Sequence, residues 1–215
     1  MTLKSDVALG AKGRGPIPRL PRHAGGMTIG LFGGSFNPPH AGHRLVTLTA
    51  LKRLQLDRIW WIVTLGNPLK DSRQLLPQAD RMALCRAIMP EPRIDITGFE
   101  AGIGTRYTLD TLRYLKRRCP TVRFVWIMGA DNMVQFNRWQ GWRDIARLMP
   151  IAVVDRPNAT LRATASRSAK VLAANRKPLS AATRLAFNPA PAWIFLHGPR
   201  SHVSSSALRH KHFHS

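Results

Sequence analysis

The chain has 215 residues, of which 44% are hydrophobic, and this is enough to form one sizeable core. Its longest apolar run, residues 59–65, is much shorter than the roughly 18 residues that a membrane-spanning helix needs, which argues against a membrane protein. The net charge of +22 is spread along the chain without one dense stripe, which argues against a dedicated nucleic-acid site, and a basic chain also suits polyanionic small substrates such as ATP.

The first 26 residues are rich in Gly, Pro, Lys and Arg, and they lack the apolar segment of a secretory signal. We expect a disordered extension there, a single domain over residues 27–210 and a short tail at 211–215. Met27 directly precedes the first apolar run and could be the natural start. Cys85 and Cys119 are far apart and form no C-x-x-C pair, which indicates buried thiols in a reducing cytosol and predicts a cytoplasmic protein.

Short apolar runs alternate with helical patterns along the chain. Strands are predicted at residues 28–32, 58–64, 93–97, 122–128, 151–155 and 192–196, and helices at 44–55, 78–89, 107–118 and 132–148, the last of them broken. This alternation predicts an α/β fold, a Rossmann-like doubly wound parallel sheet with helices on both faces. Residues 156–190, rich in Ala, Arg, Ser and Thr, are expected to form a small peripheral helical part, and whether it acts as a lid is left open.

The first predicted strand leads into GGSFNPPHAGH, residues 33–43, which precedes the first helix. Backbone approaches a ligand closely at glycines, and a helix N-terminus offers N–H groups and a partial positive charge, so this turn suits a phosphate. His40 and His43 are three residues apart and are expected on one helical face at its mouth. Two solvated histidines at an ordinary junction would not explain why two His and three Gly meet in one turn.

Two later segments carry similar chemistry. The turn at residues 129–131 follows the fourth predicted strand, on the sheet edge where such folds bind ligands, and Asp131 could accept from a ribose hydroxyl or cap a helix. Residues 198–209 read GPRSHVSSSALR. Serines at a helix start cap the free N–H groups of the first turn. The same hydroxyls and N–H groups can hold triphosphate oxygens, and the guanidinium of Arg209 can bind phosphates bidentately. A plain serine-capped helix is the alternative for this segment.

Together these segments resemble the two signatures of the nucleotidylyltransferase superfamily, H-x-G-H at residues 40–43 and I-S-S-T-x-x-R at 203–209, with Val203 for Ile and Ser206 for Thr. The segments between them resemble one family, the bacterial nicotinate-nucleotide adenylyltransferases, over about residues 27–209. The matching segments are residues 62–70, 105–112, 128–132, 136–139 and 154–157.

The resemblance implies adenylyl transfer from ATP to nicotinate mononucleotide, giving deamido-NAD and pyrophosphate in NAD biosynthesis. It implies catalytic roles for His40, His43 and Arg209. The implied ATP-binding residues are Gly33, Gly34, Ser35, Phe36, Gly129, Asp131, Arg156, Ser204 and Ser205. The implied acceptor-binding residues are Asn67, Lys70, Tyr107, Thr108 and Trp139.

The chemistry of the acceptor explains the last set. A pyridine ring needs an aromatic face, which Trp139 can supply, and a carboxylate needs donors, which a helix start at Tyr107 and Thr108 offers. Mg²⁺ is expected as the cofactor on the substrate phosphates rather than in a metal site of the protein, because the sequence shows no compact carboxylate cluster.

Two other functions stay open at this point. A related H-x-G-H enzyme acting on nicotinamide mononucleotide or phosphopantetheine would use the same chemistry, and only the family resemblance favours the acid over the amide. A basic RNA-binding protein would account for the charge, but the intact His40, His43 and Arg209 argue against it. The sequence does not distinguish a monomer from a homo-oligomer.

Overall fold

The computed structural model describes residues 18–66 and 75–198. Within them, six strands form one parallel sheet in the order β3-β2-β1-β4-β5-β6. The strands are β1 (Thr28–Gly34), β2 (Arg58–Val63), β3 (Ile94–Thr97), β4 (Arg123–Gly129), β5 (Ile151–Val154) and β6 (Trp193–Leu196). Each predicted strand is present with ends shifted by no more than two residues, and the predicted α/β doubly wound sheet is confirmed.

Helices connect the strands. They are α1 (Ala41–Arg53), α2 (Gln78–Ile88), α3 (Glu100–Ile103), α4 (Thr108–Arg118), α5 (Ala130–Gln135), α6 (Trp142–Leu148), α7 (Thr160–Thr164) and α8 (Arg167–Val171), with 3₁₀ turns at Phe136–Arg138, Ala173–Asn175 and Leu179–Phe187. Among the described residues, no helix combines the length and the apolar character that crossing a membrane requires.

Alternate strand residues face opposite sides of the sheet, and each side has its own apolar core. On one side, Leu31 of β1 is buried with Leu112 of α4. On the other side, the next residue of the strand, Phe32, is buried with Val46 of α1. Because helices cover both faces, most of the strands carry nearly continuous apolar runs, which made them recognisable in the sequence. Strand β3 is an exception, since its Asp95 is only partly buried.

Two helical segments differ in detail from the prediction. Helix α1 begins at Ala41, three residues earlier than expected, because His40 caps it. The segment predicted as a broken helix at 132–148 is divided into α5, a 3₁₀ turn and α6, and the division falls at Gly141, whose φ of 63° is left-handed.

Residues 156–190 contribute more to the core than the sequence indicated. Ala163 of α7, Ala169 of α8 and the following Leu172 are buried with the side chains that cover the α4 side of the sheet. Small residues had suggested a peripheral part, but they instead allow these short helices to pack closely. The segment is therefore part of the layer that covers the sheet.

Residues 18–26, which belong to the predicted disordered extension, lie against the domain instead. Gly26 donates its N–H to the Thr121 carbonyl at 2.9 Å, and Arg123 donates to the Gly26 carbonyl at 2.8 Å. The His23 ring lies 5.8 Å from the ring of Trp60. These contacts are made by backbone groups and single side chains, which have no periodic pattern in the sequence. The remainder of the extension, residues 1–17, lies outside the described residues.

Candidate active site

The candidate active site lies at the C-terminal edge of the sheet between β1 and β4. The strand order reverses there, because β2 and β3 lie on one side of β1 whereas β4, β5 and β6 lie on the other. Parallel sheets of this kind bind ligands in the crevice formed at such a reversal. Residues 33–43, 129–131 and 154–157 contain the C-terminal ends of β1, β4 and β5 and the residues that follow them, so the structure brings these three predicted segments together at this edge.

His40 and His43 form a reciprocal cap at the start of α1. His40 is the N-cap residue, and its Nδ1 accepts from the Gly42 N–H at 3.0 Å. The backbone N–H of His40 donates to Nδ1 of His43 at 3.2 Å, and the two ring centroids are 3.8 Å apart. The helix start therefore presents imidazole rings where the sequence had suggested bare N–H groups. In a neutral ring, an accepting Nδ1 leaves the proton on Nε2.

His40 is uncharged near neutral pH. Burial, and next the positive charge of Arg156, lower its pKa from 6.5 to about 4. Only 3% of the residue is exposed. His40 can therefore donate a directional Nε2–H hydrogen bond, but it does not bring a full positive charge to the site.

Gly42 allows His40 and Arg156 to approach the first turn of α1. A Cβ added at this position would lie 2.8 Å from Arg156 Nη2 and 2.8 Å from His40 Cε1. Both distances are shorter than ordinary van der Waals contact. The glycine between the two histidines is thus required by close packing around a helical backbone.

Phe36 supports the histidines from inside the protein. Its side chain is 1% exposed, stacks on Trp61 with centroids 4.7 Å apart and meets the His43 ring edge-on at 4.9 Å. Its φ of 47° is unusual for a non-glycine residue and turns the chain between β1 and α1. Phe36 was expected to bind ATP, but with the side chain in the core only its backbone is available to a ligand.

Asp131 and Arg156 face each other across the ends of β4 and β5. Arg156 Nε lies 3.8 Å from Asp131 Oδ1, and the Asp131 side chain is about half exposed. The buried carboxylate of Asp155 accepts from the Arg156 N–H at 2.9 Å and from the hydroxyl of Thr160, which fixes the turn that carries Arg156. Gly129 is the N-cap residue of α5, so Asp131 lies in the first turn of that helix.

A second group of predicted residues lies at the start of α4. Tyr107 is the N-cap residue and is exposed, and Thr108 is the first residue of the helix. A Cβ added at Gly141 would collide with the side chain of Leu109, so the segment around Trp139 passes this helix start. Trp139 is half-buried and makes edge contacts with neighbouring rings of the core. The structure thus places the N–H groups at the start of α4 in the same region as the indole ring of Trp139.

The remaining predicted residues lie outside the described part of the chain. These are Asn67, Lys70, Ser204, Ser205 and Arg209. Their assignments, and those of the whole second signature, stay predictions.

Two buried ionisable residues were missed by the sequence analysis. Arg81 of α2 donates to backbone carbonyls at the ends of β1 and β2. Glu100 of α3 accepts from the Thr111 hydroxyl on α4, and burial raises its pKa to about 7. A single Arg or Glu in a helical pattern is usually on the solvated face, so no signal in one sequence distinguished them.

Comparison with known proteins supports one family. A family model described as cytidylyltransferase-like matches residues 31–211. Among curated proteins, a probable nicotinate-nucleotide adenylyltransferase of Methylorubrum extorquens is 58% identical over 183 residues, which cover 85% of this chain and 99% of that protein. The corresponding protein of Brucella abortus (strain 2308) is 53% identical, with 85% and 94% covered.

Solved structures show the same architecture. Plasmodium falciparum nicotinic acid mononucleotide adenylyltransferase complexed with NaAD superposes with a TM-score of 0.62 at 17% identity, covering 86% of this chain and 83% of that one. At 17% identity, this structural similarity supports the fold alone, whereas the family assignment rests on the curated relatives. The chain belongs to the nicotinate-nucleotide adenylyltransferase family of the cytidylyltransferase-like nucleotidyltransferases.

Proposed function

We propose that this enzyme transfers the adenylyl group of ATP to nicotinate mononucleotide, giving deamido-NAD and pyrophosphate. The observation that carries the proposal is the capped pair His40 and His43 beside Arg156, at the point where the strand order reverses. Two N–H donors and one guanidinium around a crevice are suited to a phosphate chain. The names of the curated relatives and of the structural neighbour supply the acceptor.

The reaction is an in-line displacement at phosphorus. An oxygen of the acceptor's phosphate attacks the α-phosphorus of ATP, a new P–O bond forms, and the bond to the bridging oxygen of pyrophosphate breaks. The attacking oxygen is already ionised, so no general base is needed. The protein's task is then to align the two phosphates and to stabilise the charge that moves toward the leaving pyrophosphate.

His40 and His43 are assigned to the transferring phosphate and the leaving group. Their Nε2–H groups donate hydrogen bonds that strengthen as charge develops, and the cap at the start of α1 holds both rings in place before the substrate arrives. Arg156 neutralises charge on the same phosphates. Arg209 and the amides at Ser204 and Ser205 are assigned to the β- and γ-phosphates on the basis of the second signature.

The backbone of residues 33–36 and the turn at Gly129 are assigned to ATP. Asp131, exposed at that turn, accepts from a ribose hydroxyl. The start of α4, at Tyr107 and Thr108, receives the nicotinate carboxylate. Trp139 stacks on the pyridine ring. Asn67 and Lys70, which lie outside the described residues, are assigned to the acceptor nucleotide on the basis of the family resemblance.

Enzymes that transfer nucleotidyl groups from ATP generally use a divalent metal, and we assign Mg²⁺ to that role. The described residues include no group of three or more His, Cys, Asp or Glu side chains that could hold an ion. As expected from the sequence, which has no compact carboxylate cluster, we assign the ion to the substrate phosphates, which it would neutralise when bound. We also assign the protein to the cytoplasm, without a specific nucleic-acid partner.

The decisive experiment is pyrophosphate release from ATP and Mg²⁺ with nicotinate mononucleotide, nicotinamide mononucleotide and phosphopantetheine compared side by side. A strong preference for the first supports the proposal. Turnover with one of the others keeps the chemistry and replaces the acceptor. Salt-sensitive RNA binding without any pyrophosphate release would overturn the proposal.

A further inference from the structure

Arg81 is a buried guanidinium with an unusual set of partners. It lies on α2 and is 1% exposed. Its Nε donates to the Leu76 carbonyl at 2.8 Å, and its Nη1 donates to the carbonyls of Ser35 at 2.6 Å and Thr64 at 2.9 Å. Within the described residues, no carboxylate forms an ion pair with it. Burying a charge without a counter-charge is costly, so the three carbonyls must compensate for the lost water.

The three carbonyls belong to three different segments. Ser35 follows β1, Thr64 follows β2, and Leu76 precedes α2. Carbonyls at strand ends have left the ladder of the sheet and need other donors. One planar guanidinium with five N–H groups can serve several carbonyls at fixed angles, which an ammonium cannot do in the same geometry. Arg81 therefore joins the ends of two neighbouring strands to the start of the next helix.

A second bond strengthens the same connection. The N–H of Leu76 donates to Oδ1 of Asn37 at 3.3 Å, and Asn37 belongs to the turn between β1 and α1. Earlier in the same turn, Ser35 directly precedes Phe36, and the ring of Phe36 lies against both Trp61 and His43. A continuous path thus runs from Arg81 through the Ser35 carbonyl and the Phe36 ring to His43.

We propose that Arg81 is a positioning residue for adenylyl transfer, which holds the turn after β1 so that Phe36 orients the His43 ring. Arg81 does not contact the reacting phosphates. It acts by removing freedom from a turn whose left-handed residue, Phe36, would otherwise relax. The proposal rests on the role of His43 proposed above.

The test uses Arg81→Lys, which keeps the charge and loses the planar fork. Arg86→Lys is the matched control, because it makes the same change at an exposed position of the same helix. We expect Arg81→Lys to lower kcat about 30-fold, with little change in the KM for ATP, in protein that remains folded by circular dichroism. Arg86→Lys should stay within about twofold of the parent enzyme.

A double-mutant cycle with His43→Ala separates positioning from simple stability. If Arg81 acts through His43, then Arg81→Lys should lower kcat by less than about threefold when His43 is already replaced by Ala. An undiminished 30-fold loss in that background would overturn the proposal, as would an unchanged kcat in folded Arg81→Lys. If the Arg81 variant does not fold, Phe36→Leu breaks the same path and must show the same non-additivity with His43→Ala. If the parent enzyme itself releases no pyrophosphate with any of the three acceptors, the proposed function is refuted instead.

Discussion

Gly42→Ala is the sharpest test of how the site is built. In a helix, alanine is favoured over glycine by about 1 kcal/mol, so the substitution should not weaken α1. The new methyl group would, however, lie 2.8 Å from Cε1 of His40 and 2.8 Å from Nη2 of Arg156. The tip of Arg156 can move, but the His40 ring is held by the Gly42 N–H itself. The ring must therefore shift by roughly 0.6 Å to regain ordinary contact.

A shift of this size at a positioned donor translates into a loss of rate. Misplacing a catalytic group by about 1 Å can lower the reaction rate around 100-fold. We therefore expect kcat to fall by between about 10-fold and 100-fold, which corresponds to roughly 1.4 to 2.7 kcal/mol of transition-state stabilisation. The assay is steady-state pyrophosphate release, with the thermal midpoint measured in parallel. Ala41→Ser, an exposed change in the same turn, is the control. Activity of Gly42→Ala within about threefold of the parent would refute the close-packing argument.

Three further predictions concern single residues. His43→Ala should leave the circular dichroism spectrum intact and lower kcat about 100-fold or more, and near-normal turnover would exclude a donor role. Because the pKa of His40 is about 4 when folded and 6.5 in the reference state, the unfolded chain binds its proton first as the pH falls. The free energy of unfolding should then lose about 3 kcal/mol between pH 6.5 and 4, relative to His40→Asn measured by urea titration. The comparison with the variant is needed because Glu100, with a raised pKa, changes stability in the opposite sense over a similar range. Arg209→Ala should mainly raise the KM for ATP, and a change confined to the acceptor KM would contradict its assignment.

Much of the fold was predictable because it depends on composition over short windows. A strand buried on both faces must be apolar at every position, and residues 59–63 show this plainly. The order of the strands was not predictable in this way, since hydrophobic runs do not specify which strands are neighbours. Only the rule that ligands bind where the order reverses connected the turns after β1 and β4 before the structure was known.

The candidate site was predictable where a residue's role depends on its own type and spacing. His40 and His43 satisfy this condition, because at a spacing of three residues across a helix start the side chain of each can bond to the backbone of that turn, as in a capping box. Phe36 does not, since the direction of its side chain follows from its backbone φ of 47°. The pairing of Asp131 with Arg156 depends on two strand ends that are distant in sequence. Arg81 shows the same limit, because its partners are backbone carbonyls, which every residue has.

The lowered pKa of His40 indicates that the positive charge at this site comes from Arg156 and not from the imidazole of His40. Arg156 already brings a positive charge close to the first turn of α1, and a second cation at the buried His40 would be repelled by it and poorly solvated. A net charge of +22 is suited to long-range attraction of anionic substrates such as ATP. What that attraction cannot supply is direction. In the proposed mechanism, a neutral imidazole fixed by the Gly42 N–H would donate along one direction, and that direction would favour a phosphate moving toward the transition state over one that is merely bound.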